Sequence, residues 1–133
     1  MACESACIRG DIARRVANLV GKEELFGRAC LAEAFLIPHS TMARWLKEAD
    51  KVVMVNGCLM KCMGRVLNNV VDREKIIHID ALQYHNKYCD VFYMEDVPDA
   101  ERIDTAKYVA GQILPILIES VNLTEWLNPV INS

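Results

Sequence analysis

The residues of this chain best suited to chemistry are its six cysteines: Cys3, Cys7, Cys30, Cys58, Cys62 and Cys89. Cys58 and Cys62 stand in Val55-Asn56-Gly57-Cys58-Leu59-Met60-Lys61-Cys62, where an apolar run gives way to an Asn-Gly turn and then to a helical pattern. The i, i+4 spacing predicts both thiols on one helical face, within reach of one tetrahedral Zn²⁺ whose sulfurs lie about 2.3 Å from the ion. A helix start with Lys61 and Arg65 beside it favours thiolate over thiol, and the thiolate is both the metal ligand and the nucleophile. Cys3 and Cys7 repeat the same spacing just ahead of the first helical segment, and Cys30 lies at the end of the short run Arg28 to Leu31. In a parallel sheet these three segments would bring their sulfurs to one edge, where ligands of open α/β sheets gather. Cys7 could replace Cys3 as a ligand or act as a resolving thiol beside it.

The other candidates each have a plainer reading. His39, in Ile37-Pro38-His39-Ser40, is a further ligand or general base if its helix start faces the same edge, and otherwise a helix-start residue. Asp80 ends an apolar run and either lines the site or caps the next segment. His78 reads as a hydrogen-bonded core or edge histidine, His85 as a solvated one, and Cys89 as a small buried hydrophobe. Met54, Met60 and Met63 read as core filling, and Asp96, Asp99, Glu101 and Asp104 as a solvated helix start. The chain has no Gly-x-x-x-x-Gly-Lys loop, Gly-x-Gly-x-x-Gly fingerprint, Gly-x-Ser-x-Gly elbow or Cys-x2-Cys pair, which disfavours the common nucleotide, hydrolase and thioredoxin classes.

Positioning these residues requires strands and helices in alternation. Lys51 to Asn56, Lys75 to Asp80 and Asp90 to Glu95 read as strands, with Arg28 to Leu31 a shorter fourth. The first lacks alternation, as expected of a parallel strand buried on both faces. Helical spacing runs from Gly10 to Val20, from Thr41 to Ala49 with Ser40 as N-cap, from Leu59 to Val71, and from Asp99 to an end or kink near Pro115. Together these predict an α/β fold: a three-layer Rossmann-like sandwich, its mostly parallel sheet of about four strands covered by helices on both faces. The first helix begins so early that no proper strand precedes it, so either the sheet lacks its usual first strand or the domain's natural start lies upstream.

With 133 residues the chain suits one domain, read as residues 1 to 120 with an extension from 121 to 133. The tail has no clear period, and Trp126 either docks on the domain or supports a homodimer. A formal charge of −3 offers no basic footprint for nucleic acid. No apolar run reaches the roughly 20 residues of a membrane helix. No secretory leader is visible either, so a reducing cytoplasm is expected, where clustered thiols point to metal or redox chemistry.

Val55-Asn56-Gly57-Cys58-x3-Cys62 resembles the Asp-Gly-Cys-x3-Cys signature of the DGC-domain family, to which zinc binding is ascribed, with Asn56 in place of the family's usual Asp. The Cys3 loop with Gly10, and Cys30-Leu31-Ala32, are similar to that family's other two cysteine segments, so the likeness spans most of residues 1 to about 118. Carried over position by position, the resemblance implies Cys3, Cys30, Cys58 and Cys62 as the metal-holding set, with Cys7 and Cys89 additional. Four thiolates would make the Zn²⁺ site structural, storing or sensing, whereas three would leave a position for water or a substrate thiol. Two alternatives stand beside this. One is a cysteine-dependent redox or sulfur-transfer enzyme with Cys58 as nucleophile and Cys62 or Cys7 resolving. The other is an iron–sulfur cluster, which thiolates suit equally well.

Overall fold

The computed structural model describes residues 1–3 and 7–131, with side chains described as far as residue 122. In chain order it comprises α1 (Ile8–Val20), α2 (Leu31–Leu36), α3 (Thr41–Glu48), β1 (Val52–Asn56), α4 (Cys62–Leu67), β2 (Ile76–Asp80), α5 (Ala81–His85) and α6 (Asp99–Ile131). The fold is α/β but mostly helical. β1 and β2 form a two-stranded parallel sheet in the register Val52↔Ile76 to Asn56↔Asp80.

Helices cover both faces of this small sheet. On one face Val55 and Ile79 join a core with Ile12 and Val16 of α1 and with Ala106, Val109, Ile113 and Leu117 of α6. On the other, Val52 and Met54 pack with Ala34 of α2, Ala43 and Leu46 of α3 and Leu67 of α4. Burying roughly one Val, Leu or Ile side chain contributes about 1.5–3 kcal/mol, so these two clusters supply the main drive to fold.

Among the described residues the expected four strands reduce to two. Asp90 to Glu95 makes a single antiparallel bridge, Tyr93 to Cys7, supported by the Ile8 N–H donating to the Phe92 carbonyl at 3.0 Å. Its aromatic side chains Phe92 and Tyr93 stay exposed, and residues Met94–Asp96 close into a 3-10 turn. Arg28 to Leu31 is not a strand either. Arg28 is tied to Asn18 and to the Ala29 carbonyl, and Leu31 already begins α2. The N-terminus, by contrast, does reach the sheet. Met1 to Cys3 runs along the free edge of β1, with an Ala2↔Val55 parallel bridge and the Cys3 N–H donating to the Val55 carbonyl at 2.9 Å.

Two further expectations change. α6 does not end near Pro115 but continues to Ile131, so the tail is helical in its backbone, and the side chain of Trp126 lies outside the described residues. Pro115 cannot donate to the Gly111 carbonyl, yet both residues are exposed and water can take that bond. Among the described residues no helix is long and apolar enough to cross a membrane.

α1 is fastened to α6 by a polar cluster. Asp11, 4% exposed, accepts from Arg14 at 2.7 Å, Arg15 at 2.9 Å and Arg102 at 2.8 Å. Burial alone would raise the Asp11 carboxyl, but the bonds from Arg102, Arg14 and Arg15 outweigh it and lower its pKa to about 2.

Candidate functional site at the C-terminal edge of the sheet

The site begins where β1 ends. A Cβ on Gly57 would stand 2.8 Å from the Arg9 carbonyl oxygen and 3.2 Å from the Gly10 nitrogen, so only glycine lets the turn after β1 sit on the first turn of α1. That contact brings the Cys58 turn against the helix start capped by Cys7, while Cys3 is held on the adjoining edge by Val55. Two of the three predicted sulfur-bearing segments, Cys3–Cys7 and Cys58–Cys62, therefore lie at the C-terminal end of β1, while Cys30 sits apart at the start of α2.

The geometry of the Cys58–Cys62 pair differs from the expected shared helical face. α4 starts at Cys62, and Cys58 lies in a turn closed by the Lys61 N–H donating to the Cys58 carbonyl at 3.3 Å. Lys61 caps α4 in the left-handed region, at φ 51°, and Arg65 Nε donates to the Met60 carbonyl at 3.0 Å, tying the turn down. An Asn-Gly-Cys start inside a tight turn delays the helix, so the pair spans a turn and a helix start. Cys58 is half-buried and Cys62 exposed.

The remaining candidates scatter. Cys3 is buried and Cys7 half-buried. Cys30, half-buried at the start of α2, borders a shallow cleft of about 310 Å³ with Arg14, Asn18, Arg28 and Met42. His39 is exposed in the turn before α3, whose cap is Ser40, its Oγ accepting from the Ala43 N–H at 3.1 Å. Cys89 is exposed, correcting its reading as a buried residue, and follows Tyr88, whose backbone is left-handed at φ 63°. Among the described residues no three His, Cys, Asp or Glu side chains stand close enough together to hold one metal ion.

Beneath the Cys58 turn lies a polar floor in which His78 takes its expected role as a hydrogen-bonded histidine, while its pairing with Asn56 was not read from the sequence. Asn56, wholly buried, donates from Nδ2 to His78 Nδ1 at 3.1 Å, a diagonal pair across the two strands. A Cβ on Gly64 would lie 2.7 Å from Asn56 Oδ1 and 3.0 Å from His78 Cε1, so this glycine lets α4 close over the pair. Burial, reinforced by Lys61, pushes the His78 pKa down, consistent with a neutral ring accepting at Nδ1. Asp80 takes its plainer role, capping α5 with Oδ1 accepting from the Leu82 N–H at 3.1 Å. His85 is not solvated as expected. Its Nδ1 accepts from the Lys87 N–H at 3.0 Å, its Nε2 is buried, and burial and Lys87 lower its pKa while Asp80 opposes them. The available signal was a polar residue ending one apolar β-run, Asn56, and one inside the other, His78, together with Gly64 inside the helix between them.

The sequence model of the DGC domain matches residues 1–101 of the 133. The chain belongs to the DGC-domain family. No curated protein and no solved structure gives a significant match. In this DGC domain the matched segment holds all six cysteines and both strands and stops at the beginning of α6. α6 nevertheless supplies Thr105, Ala106, Val109, Ala110, Ile113 and Leu117 to the buried interior, so the helix beyond the matched segment is built into the same fold.

The donor chemistry at the edge suits a soft or borderline metal, since the available ligands are sulfurs with Lys61 and Arg65 close by to offset thiolate charge. The opposite end of the sheet is different. It borders a largely apolar cavity of about 290 Å³ lined by Trp45, Leu46, Val52, Val53 and Leu117, among others.

Proposed function

We propose that this DGC domain is a thiolate metal-binding protein, with Cys58 and Cys62 at the centre of a Zn²⁺ site on the C-terminal edge of the sheet. Cys3 completes the set from the neighbouring edge, with Cys7 as the alternative donor, and Cys30 joins as the fourth sulfur if α2 draws in. The observation that carries this reading is the glycine contact at Gly57, which presses the Cys58 turn onto the start of α1, beside Cys7. When bound, the ion would supply a Lewis-acidic, thiolate-stabilising centre. The chain's own residues would orient the thiols and balance their charge. Because ligand thiols must converge and deprotonate, binding would couple to the order of the N-terminal segment.

Metal content per chain, measured by mass spectrometry on untagged protein purified without oxygen, tests the reading. About one zinc per chain, lost in both Cys58→Ser and Cys62→Ser, is the expected result. Metal-free protein whose stability is unchanged in both variants overturns it.

The exposure of Cys62 favours one second reading, a redox or sulfur-transfer thiol pair in which Cys58 attacks and Cys62 resolves. A thiol reactivity that survives chelation would support that enzyme over the metal protein. Bound iron with sulfide would instead indicate a cluster at the same cysteines.

A further inference from the structure

At the end of the sheet away from the Cys58 turn, the two apolar cores do not close on each other. Ala17, Val20 and Leu117 belong to the core on one face and Ala29, Leu46 and Val52 to the core on the other, and all six line one cavity of about 290 Å³. Protein interiors pack nearly as densely as organic crystals, with few voids larger than a water molecule. An engineered void of roughly 150 Å³ between aliphatic and aromatic side chains takes up benzene. The space here is about twice that, near the lower end of the range for small-molecule sites.

The mouth of the cavity is built by the loop after α1 and the second half of α3. A Cβ on Gly27 would stand 2.7 Å from Trp45 Cη2 and 2.9 Å from Cζ2, so this glycine lets the indole ring lie against the loop. Trp45 and Leu25 line the cavity yet remain 45% and 53% exposed, which leaves large apolar groups at its rim for an occupant to cover. Among the described residues, Asp50 and Lys51 are the only charged ones in the lining. They are adjacent, exposed and of opposite sign, and Lys51 Nζ is already turned to the Glu74 carbonyl at 3.1 Å. The walls therefore offer apolar contact without a net counter-charge. An ion drawn inside would lose hydration and gain no partner.

From this cavity we propose a second ligand site, for a small neutral apolar molecule of one or two rings, seated between the Trp45 indole and the Val52 end of β1. The volume sets the size of the ligand, and the balanced pair at the mouth sets its neutrality. The site lies at the opposite end of the sheet from the Cys58 turn and does not rest on the thiolate-metal reading.

Isothermal titration of the full chain with indole tests the site. Saturable binding is expected, with indole-3-acetate and tryptamine each weaker by about tenfold or more because each brings an ion against apolar walls. Two variants fill the space, one from each core: Ala17→Leu on α1 and Ala49→Leu at the end of α3. Each should weaken indole by about tenfold or more while the midpoint of thermal unfolding holds or rises, as when a void is filled. Cys58→Ser should leave indole binding unchanged. Absence of saturable binding to millimolar indole, equal binding of the three probes, or affinity unaltered in both filled variants overturns the proposal. So does a dimer, seen by sedimentation, that either filled variant disperses, since a second copy would then occupy the cavity.

Discussion

Two buried polar clusters lie close to the start of α1, and they are built in opposite ways. Around Asp11 the carboxylate meets three guanidinium groups from two helices, and Arg15 and Arg102 also reach Asp99. At the C-terminal edge of the sheet, Arg9, Asn56, Asp80 and His85 each keep one buried atom without a partner. The first arrangement satisfies its own charge and so fastens α1 to α6. In the second, Asn56, Asp80 and His85 are each bonded on one side and unsatisfied on the other, which lowers stability. Buried polarity therefore has two opposite effects here, and the hydrogen-bond ledger of each cluster separates them.

The comparison breaks most sharply if the satisfied cluster proves unimportant to stability. Asp11→Ala leaves Arg14, Arg15 and Arg102 crowded without their carboxylate and should cost about 3–5 kcal/mol, read from the midpoint of denaturant unfolding. A loss below 1 kcal/mol, within the range of exposed pairs, would show that the cluster is not the fastening it resembles.

Next in size is Gly57→Ala, which forces a methyl group into the Arg9 carbonyl. An expected loss of about 1–3 kcal/mol should come with faster alkylation of Cys58 as its turn lifts from α1. Unchanged alkylation would mean that the turn does not depend on this contact.

Acid unfolding sharpens the same contrast. The Asp11 pKa is lowered to about 2 in the folded chain, so between its unfolded value near 3.8 and that value the unfolded state binds more protons. Asp11 thus contributes roughly 2 kcal/mol above pH 4, lost as the pH falls through about 2. Denaturant midpoints collected down this range should decline in the native chain, and the decline should be shallower in Asp11→Asn.

The smallest effect belongs to the unsatisfied cluster. His85→Phe removes a buried N–H without a partner, leaves the exposed Lys87 N–H to water and keeps an aromatic ring beside Tyr88, so stability should change by no more than about 0.5 kcal/mol or should rise. A loss above 2 kcal/mol in thermal or denaturant unfolding would show that His85 is a structural group after all.

Much of this was legible along the chain. The β-branched runs at Val52–Asn56 and Ile76–Asp80, the Ser40 cap and the long apolar period of α6 each follow from local pattern, and the structure contains each. The Cys58 turn was legible too, because Asn-Gly after an apolar run has few other uses. Less legible were elements whose state depends on a distant partner. Asp90 to Glu95 has strand-like residues but finds only the Cys7 bridge, and α6 passes Pro115 because its buried face from Thr105 to Leu117 is already committed to α1 and the sheet.

By itself the sequence determined the two β-branched strands with a helix between them, the glycines at 57 and 64, and the supply of six thiols with no common nucleotide or hydrolase motif. Those properties are local: they depend on side-chain period, backbone freedom and residue type within a few positions. Only the tertiary structure decided that Asn56 faces Asp80, that Arg9 meets Gly57, and that three arginines close on Asp11. Each of these is a contact between segments far apart in the chain. Whether a buried polar atom is answered depends on which distant partner the packing brings to it.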